Sequence, residues 1–158
     1  KTICTINTTW QQTKAMVAHL VSTIGDGLFP EPHEILDMGP ERLANECKLG
    51  FRARTVANVT ARLLDDEVIN PDGSVRDGQV TYDYLVSLKG IGPYSAAHVM
   101  MLLRDYSTVP VDSEVSAYLR ERGLDPKDAQ EAFQHWEEYR FLGYKLRRIV
   151  DKENWIGG

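Results

Sequence analysis

Trp10, Met16, Val17, Leu20, Val21 and Ile24 recur at three- and four-residue spacing, the mark of a helix with one apolar face, and Gly25 and Gly27 close that run. FPEPHEILDMGPERL, residues 29–43, reads as two short helical segments, each opened near a proline, and Gly50 stops the second at LGF. RARTVANVTARLLDDE is a longer helix, and NPDGS after it is a turn. Then come TYDYLVSL, a glycine turn in LKGIG, a helix in PYSAAHVMMLLRD, a short extended STVPV and a helix from about Ser113 through Arg120. Two more helices are expected, around residues 126–138 and 139–152. No alternating run is long enough for a sheet and no repeat is present, so the pattern predicts an all-α chain.

Length and composition fit one ordinary soluble domain: 158 residues, 42% hydrophobic and 26% charged. The expected organisation is a single domain over residues 1–158, with a helical lobe at 1–80, a segment built on the glycine turn at 81–122 and C-terminal helices at 125–152. No apolar run reaches the length of a membrane span and no signal peptide opens the chain, so no membrane partner is expected and an intracellular location is. Because the chain starts at Lys1, without methionine, and enters an apolar segment at once, it reads as a fragment lacking an N-terminal part. Cys4 and Cys47 are too few and too far apart for a zinc or iron–sulfur ligand set, and read as buried free thiols.

The net charge of -5 argues weakly against a nucleic-acid partner, but the charges are unevenly spread. Lys48, Arg52, Arg54 and Arg62 fall in a stretch without acids, as do Arg140, Lys145, Arg147 and Arg148, while carboxylates crowd LLDDE and EAFQHWEEY. One basic face on an acidic molecule is one reading; scattered solvated charge is the other.

In LKGIGPYSAAHVMML the chain must reverse just before a helix. Gly90 and Gly92 suit the positive φ such a turn demands, and Pro93 suits the first helical position. Free amides at that helix start, beside glycines, make a place for a phosphate. This is a helix-hairpin-helix pattern, although an ordinary interhelical turn has the same glycines. Asp112 in VPVDSEV then follows an extended link and precedes another helix. It suits an N-cap, a role compatible with chemistry because a helix N-terminus favours an ionised carboxylate. Tyr94 and His98 lie four apart and so share a helix face.

With these motifs in order, the sequence resembles the helix-hairpin-helix DNA glycosylase superfamily, in which the hairpin is followed about twenty residues later by a catalytic aspartate; Asp112 stands there. The resemblance is closest to the 8-oxoguanine DNA glycosylase branch. It implies that Asn7, in TICTINTTWQQTKAMV, faces the orphaned partner base, and that in LGFRAR Phe51 wedges into the duplex while Arg52 contacts that base. Plainer readings are that Asn7 caps a helix, Phe51 is core, and Arg52 and Arg54 are a solvated first turn. Bifunctional members carry a lysine two residues after the second hairpin glycine, whose amine attacks the sugar. Tyr94 occupies that place, and Lys89 lies before the first hairpin glycine, so the resemblance implies base release without strand cleavage. The four-cysteine tail of the endonuclease III branch is absent.

A target base must be flipped out of the duplex to be excised. Tyr94 and His98 are expected to meet it, and the resemblance places Trp136, Glu138 and Leu142 in the pocket-lining segment, with Glu138 near a base-reading glutamine. A carboxylate there would select N–H donors or a cationic base; Trp136 as core and Glu138 as a surface charge are the alternatives. The expected partner is double-stranded DNA containing a damaged base, met by a monomer. No metal ligand set is expected; the resemblance allows a monovalent cation on hairpin carbonyls. The competing function is a DNA-binding module of the same fold without catalysis.

Overall fold

The computed structural model describes residues 1–156, and side chains through residue 152. Among the described residues the structure is helical, with one isolated antiparallel bridge, Ile69 to Val75, closing the NPDGS turn. No helix among them is long and apolar enough to cross a membrane.

Two compact units form, one from Lys1 to Ile91 and one from Gly92 onward. The first holds a 3-10 turn, Thr2–Thr5, then α1 (Trp10–Thr23), α2 (Pro32–Asn45), α3 (Arg52–Asp65) and α4 (Tyr82–Ser87). Thr9 opens α1 with a capping box: its hydroxyl accepts from the Gln12 amide at 3.2 Å while Gln12 Oε1 accepts from the Thr9 amide at 3.1 Å. The two segments expected in FPEPHEILDMGPERL meet within α2 at a kink, where Gly39 takes a non-helical φ of 72° and Pro40 follows it. Met16, Leu20, Ile35, Met38, Leu43, Leu49, Ala53 and Val56 make the core. Cys4 and Cys47 are buried free thiols in or beside it, and burial pushes both above the usual thiol range, which keeps them protonated and unreactive.

The second unit holds α5 (Pro93–Leu102), α6 (Ser113–Arg120), a 3-10 turn Pro126–Asp128, α7 (Ala129–Ala132), a second 3-10 turn Gln134–Tyr139, and α8 (Arg140–Ile156). The helix expected over 126–138 is therefore three short pieces. Ala129, Ala132, Phe133 and Trp136 mimic a helical stripe, but Glu137 takes φ 49° and stops the chain from continuing as a helix. That break lets the Trp136 ring settle on Gly143 of α8, where a Cβ would collide with the ring. The core is aromatic: Tyr144, almost fully buried, meets Tyr118 edge-on at 5.3 Å and Phe133 edge-on at 5.8 Å. Such pairs add about 0.5–1.5 kcal/mol beyond the area they bury.

Candidate active site

The glycine turn before α5 is tight. Leu88 ends α4, and the Ile91 amide donates to the Leu88 carbonyl at 3.0 Å. Gly90 has φ +95°, and a Cβ there would come within 2.5 Å of Thr55 Cγ2 on α3, so both backbone angle and space exclude a side chain. Gly92 corrects the sequence expectation. Its φ is −91° and ψ 175°, extended backbone open to any residue, and a Cβ there would meet nothing within 4 Å. It is the N-cap of α5, with Pro93 at the first position as expected. The helical ladder starts when the Ala96 amide donates to the Gly92 carbonyl at 2.9 Å, so the amides just before it lie outside the ladder.

Asp112 is the N-cap of α6, its Oδ1 accepting from the Val115 amide at 2.8 Å. The carboxylate lines a cavity of about 260 Å³ built wholly by the second unit. Tyr94 and His98 form one wall, Met101, Pro110 and Val115 the floor, and Phe141, Tyr144 and Lys145 of α8 the far side. The Tyr94 and His98 rings lie 5.8 Å apart and tilted by 36°, sharing a face as their spacing demands. Burial, then the charges of Asp112 and Glu114, raise the Tyr94 hydroxyl above its ordinary value. At neutral pH it is therefore a phenol able to donate a hydrogen bond.

Glu138 is exposed on the 3-10 turn before α8 and does not line this cavity. Trp136, part-buried against the second core, takes the structural role named as its alternative, and its indole nitrogen is buried without a partner among the described residues. The α8 residues that do line the cavity, Phe141, Tyr144 and Lys145, were missed by the sequence reading. Their signal was present as a helical stripe, Phe141–Tyr144–Lys145–Arg148, starting one turn later than the segment chosen.

In the first unit Asn7, Phe51 and Arg52 come together. Asn7 is exposed with φ 47°, and Phe51 keeps 69% of its surface in solvent. Arg52, only 9% exposed, is not a solvated first-turn charge. Its Nε donates to the Ile6 carbonyl at 2.9 Å and its Nη2 to the carbonyls of Ile6 and, at 3.0 Å, Asn7. The guanidinium carbon also sits 4.3 Å from the Phe51 ring centre. One side chain thus fixes both the left-handed turn at Asn7 and the face of the exposed phenylalanine. Arg54 is exposed. A shallow cavity of about 240 Å³ lies beside Arg52, with Thr8, Gln12, His19 and Lys48 on its walls.

This arrangement of helices is the helical DNA glycosylase fold of 8-oxoguanine glycosylases. The Clostridium acetobutylicum 8-oxoguanine glycosylase/lyase in its apo form matches with a TM-score of 0.70 and 20% identity, over 89% of this chain and 54% of that one. The same protein in complex with double-stranded DNA containing cytosine opposite 8-oxoguanine matches at TM-score 0.70 and 21% identity, over 94% and 58%. MBOgg1 in complex with a low-affinity DNA ligand matches at TM-score 0.70 and 18% identity, again over 94% and 58%. The chain thus spans a little over half the length of these proteins. No family model matches the sequence, and no curated protein does.

Proposed function

We propose that this chain is the core of a DNA N-glycosylase that flips a damaged base from a duplex and hydrolyses its glycosidic bond, leaving an abasic site without cutting the strand. The observation that carries this is Asp112: a half-buried carboxylate at the start of α6, twenty residues after Gly92, on a base-sized cavity walled by Tyr94 and His98. A cavity below the roughly 300–1,000 Å³ of drug-sized sites suits one planar base rather than a larger ligand.

In the proposed reaction the C1′–N bond lengthens, and its electron pair goes to the base nitrogen. Asp112 stabilises the oxocarbenium-like sugar and takes a proton from water as the water oxygen bonds to C1′. One Asp112 oxygen is held by the Val115 amide, which orients the carboxylate and leaves the other oxygen to act. Tyr94 and His98 stack on or hydrogen-bond the flipped base. The hairpin amides receive a phosphate. Phe51 fills the space the base leaves, and Asn7, held by Arg52, faces the orphaned partner.

The experiment is base release from duplexes bearing 8-oxoguanine, uracil, 3-methyladenine or ethenoadenine, with Asp112→Asn as control. Asparagine is an equally good N-cap, so the helix should survive while the charge is lost. The expected outcome is a fall in kcat by orders of magnitude with duplex affinity nearly kept. Full activity in Asp112→Asn removes the catalytic assignment. Tight duplex binding with no base release from any substrate favours the alternative, a binding module without catalysis.

A further inference from the structure

The α8 wall of the Asp112 cavity carries one cation, Lys145. Its ammonium nitrogen lies 5.2 Å from the centre of the Phe141 ring and 5.4 Å from that of Tyr144, so the aromatic wall itself steers the charge along the cavity's side. The nearby acid of α6, Glu114, is already engaged: Arg148 donates to its Oε2 at 2.5 Å, and the carboxyl is held below its ordinary range by that bond first. Lys145 makes no ion pair within 4.0 Å among the described residues. A cation thus stands beside a space for a flipped base, with Glu114 taken by Arg148.

Resting on the glycosylase reading above, we propose that Lys145 sets the charge selectivity of the cavity, favouring neutral bases with a carbonyl beside the glycosidic nitrogen and rejecting cationic alkylated bases. When the C1′–N bond breaks, the electron pair received by the base nitrogen delocalises onto that adjacent carbonyl oxygen. The ammonium of Lys145 donates a hydrogen bond to this oxygen as its charge grows. Water supplies the new C1′–O bond and gives its proton to Asp112; the released base anion is then protonated from solvent. Stabilisation of this kind is stronger in the transition state than in the ground state, so it acts on kcat. A base that leaves as a neutral molecule from a cationic nucleoside gains nothing from the ammonium and is repelled by it while bound. The expected preference is thus opposite to the one a carboxylate at Glu138 would impose.

The test compares single-turnover release of uracil and 8-oxoguanine, both with such a carbonyl, with release of cationic 3-methyladenine from duplexes of one flanking sequence. Wild type, Lys145→Met and Lys145→Arg are assayed, with thermal melting and duplex affinity measured for each. In Lys145→Met the ratio of carbonyl-base to cationic-base rates should fall on the order of a hundredfold, the size seen when one oxyanion donor is removed. Lys145→Arg should recover part of that ratio. Three results overturn the inference: an unchanged ratio in Lys145→Met, a uniform loss that tracks weaker duplex binding and so marks a phosphate contact, or a borohydride-trapped wild-type complex that disappears in Lys145→Arg and so marks a covalent amine. A wild-type protein that releases none of these bases overturns the glycosylase reading and this inference with it.

Discussion

Phe51 is a large apolar side chain with most of its surface in water, and the Arg52 guanidinium stacks on its ring. The core reading of Phe51 is thereby excluded, and with it the cost of about 3–5 kcal/mol that truncating a buried phenylalanine carries. Phe51→Ala should melt within a degree or two of wild type. If the ring holds a duplex open, base–aromatic stacking of about 1–3 kcal/mol is lost, and activity on a fully paired target should drop roughly ten- to a hundredfold. A target already unstacked or mispaired should be processed almost normally. Equal losses on both substrates would show that the ring is no wedge. Arg52→Lys should behave differently. Lysine lacks the planar fork that reaches both the Ile6 and Asn7 carbonyls, so that variant should lose stability as well as activity. The type of residue at 51 and 52 was legible in LGFRAR; that Arg52 faces inward was not, because its partners are backbone carbonyls 45 and 46 residues away.

The glycine turn between α4 and α5 separates two residues the sequence treats alike. Only Gly90 is left-handed and only Gly90 abuts a neighbour, so Gly90→Ala should destabilise the protein while Gly92→Ala should leave melting unchanged. Gly92→Asp then becomes a clean probe: with open space around its Cβ it places a negative charge at the α5 N-terminus. It should weaken binding to every duplex alike, and unchanged affinity would mean the hairpin is only a turn. The helix over 126–138 was misread for a related reason. A stripe of apolar residues three and four apart serves a 3-10 turn, a single α-turn and a second 3-10 turn as well as one helix, and the left-handed Glu137 leaves no mark in hydrophobic spacing. The ties between α6 and α8 show a further element-level property. Asp151 accepts from the Tyr118 hydroxyl at 2.8 Å and from Arg122 at 2.6 Å, and these bonds hold its carboxyl below the ordinary aspartate value. A folded-state pKa below the unfolded one contributes stability that is complete above about pH 4 and is lost as pH falls through the folded value. Asp151→Asn should therefore flatten the acid end of the melting-temperature profile and leave its slope near pH 7 unaltered. Since the carboxyl is on the surface, the effect is small.

For the whole molecule, the proposed duplex binding turns on the balance between net charge and local charge. A chain of net charge -5 should be repelled by a polyanion if only the sum mattered. The first unit shows instead that some arginines are neutralised by a carboxylate one helical turn on and others are not. Arg42 donates to Glu46 at 2.7 Å and Arg62 to Asp66 at 2.7 Å, whereas exposed Arg54, one turn from Phe51, is in no ion pair among the described residues. Arg54→Gln and Arg42→Gln therefore alter net charge equally but local charge differently. Counterion release ties each phosphate contact to a slope of about −0.9 in log affinity against log salt. Arg54→Gln should reduce the measured slope by about one and weaken binding at low salt across all sequences; Arg42→Gln should change neither. Equal effects of the two substitutions would mean that DNA senses only the net charge, and the basic stretch between Glu46 and Asp65 would then be solvated surface with no duplex against it.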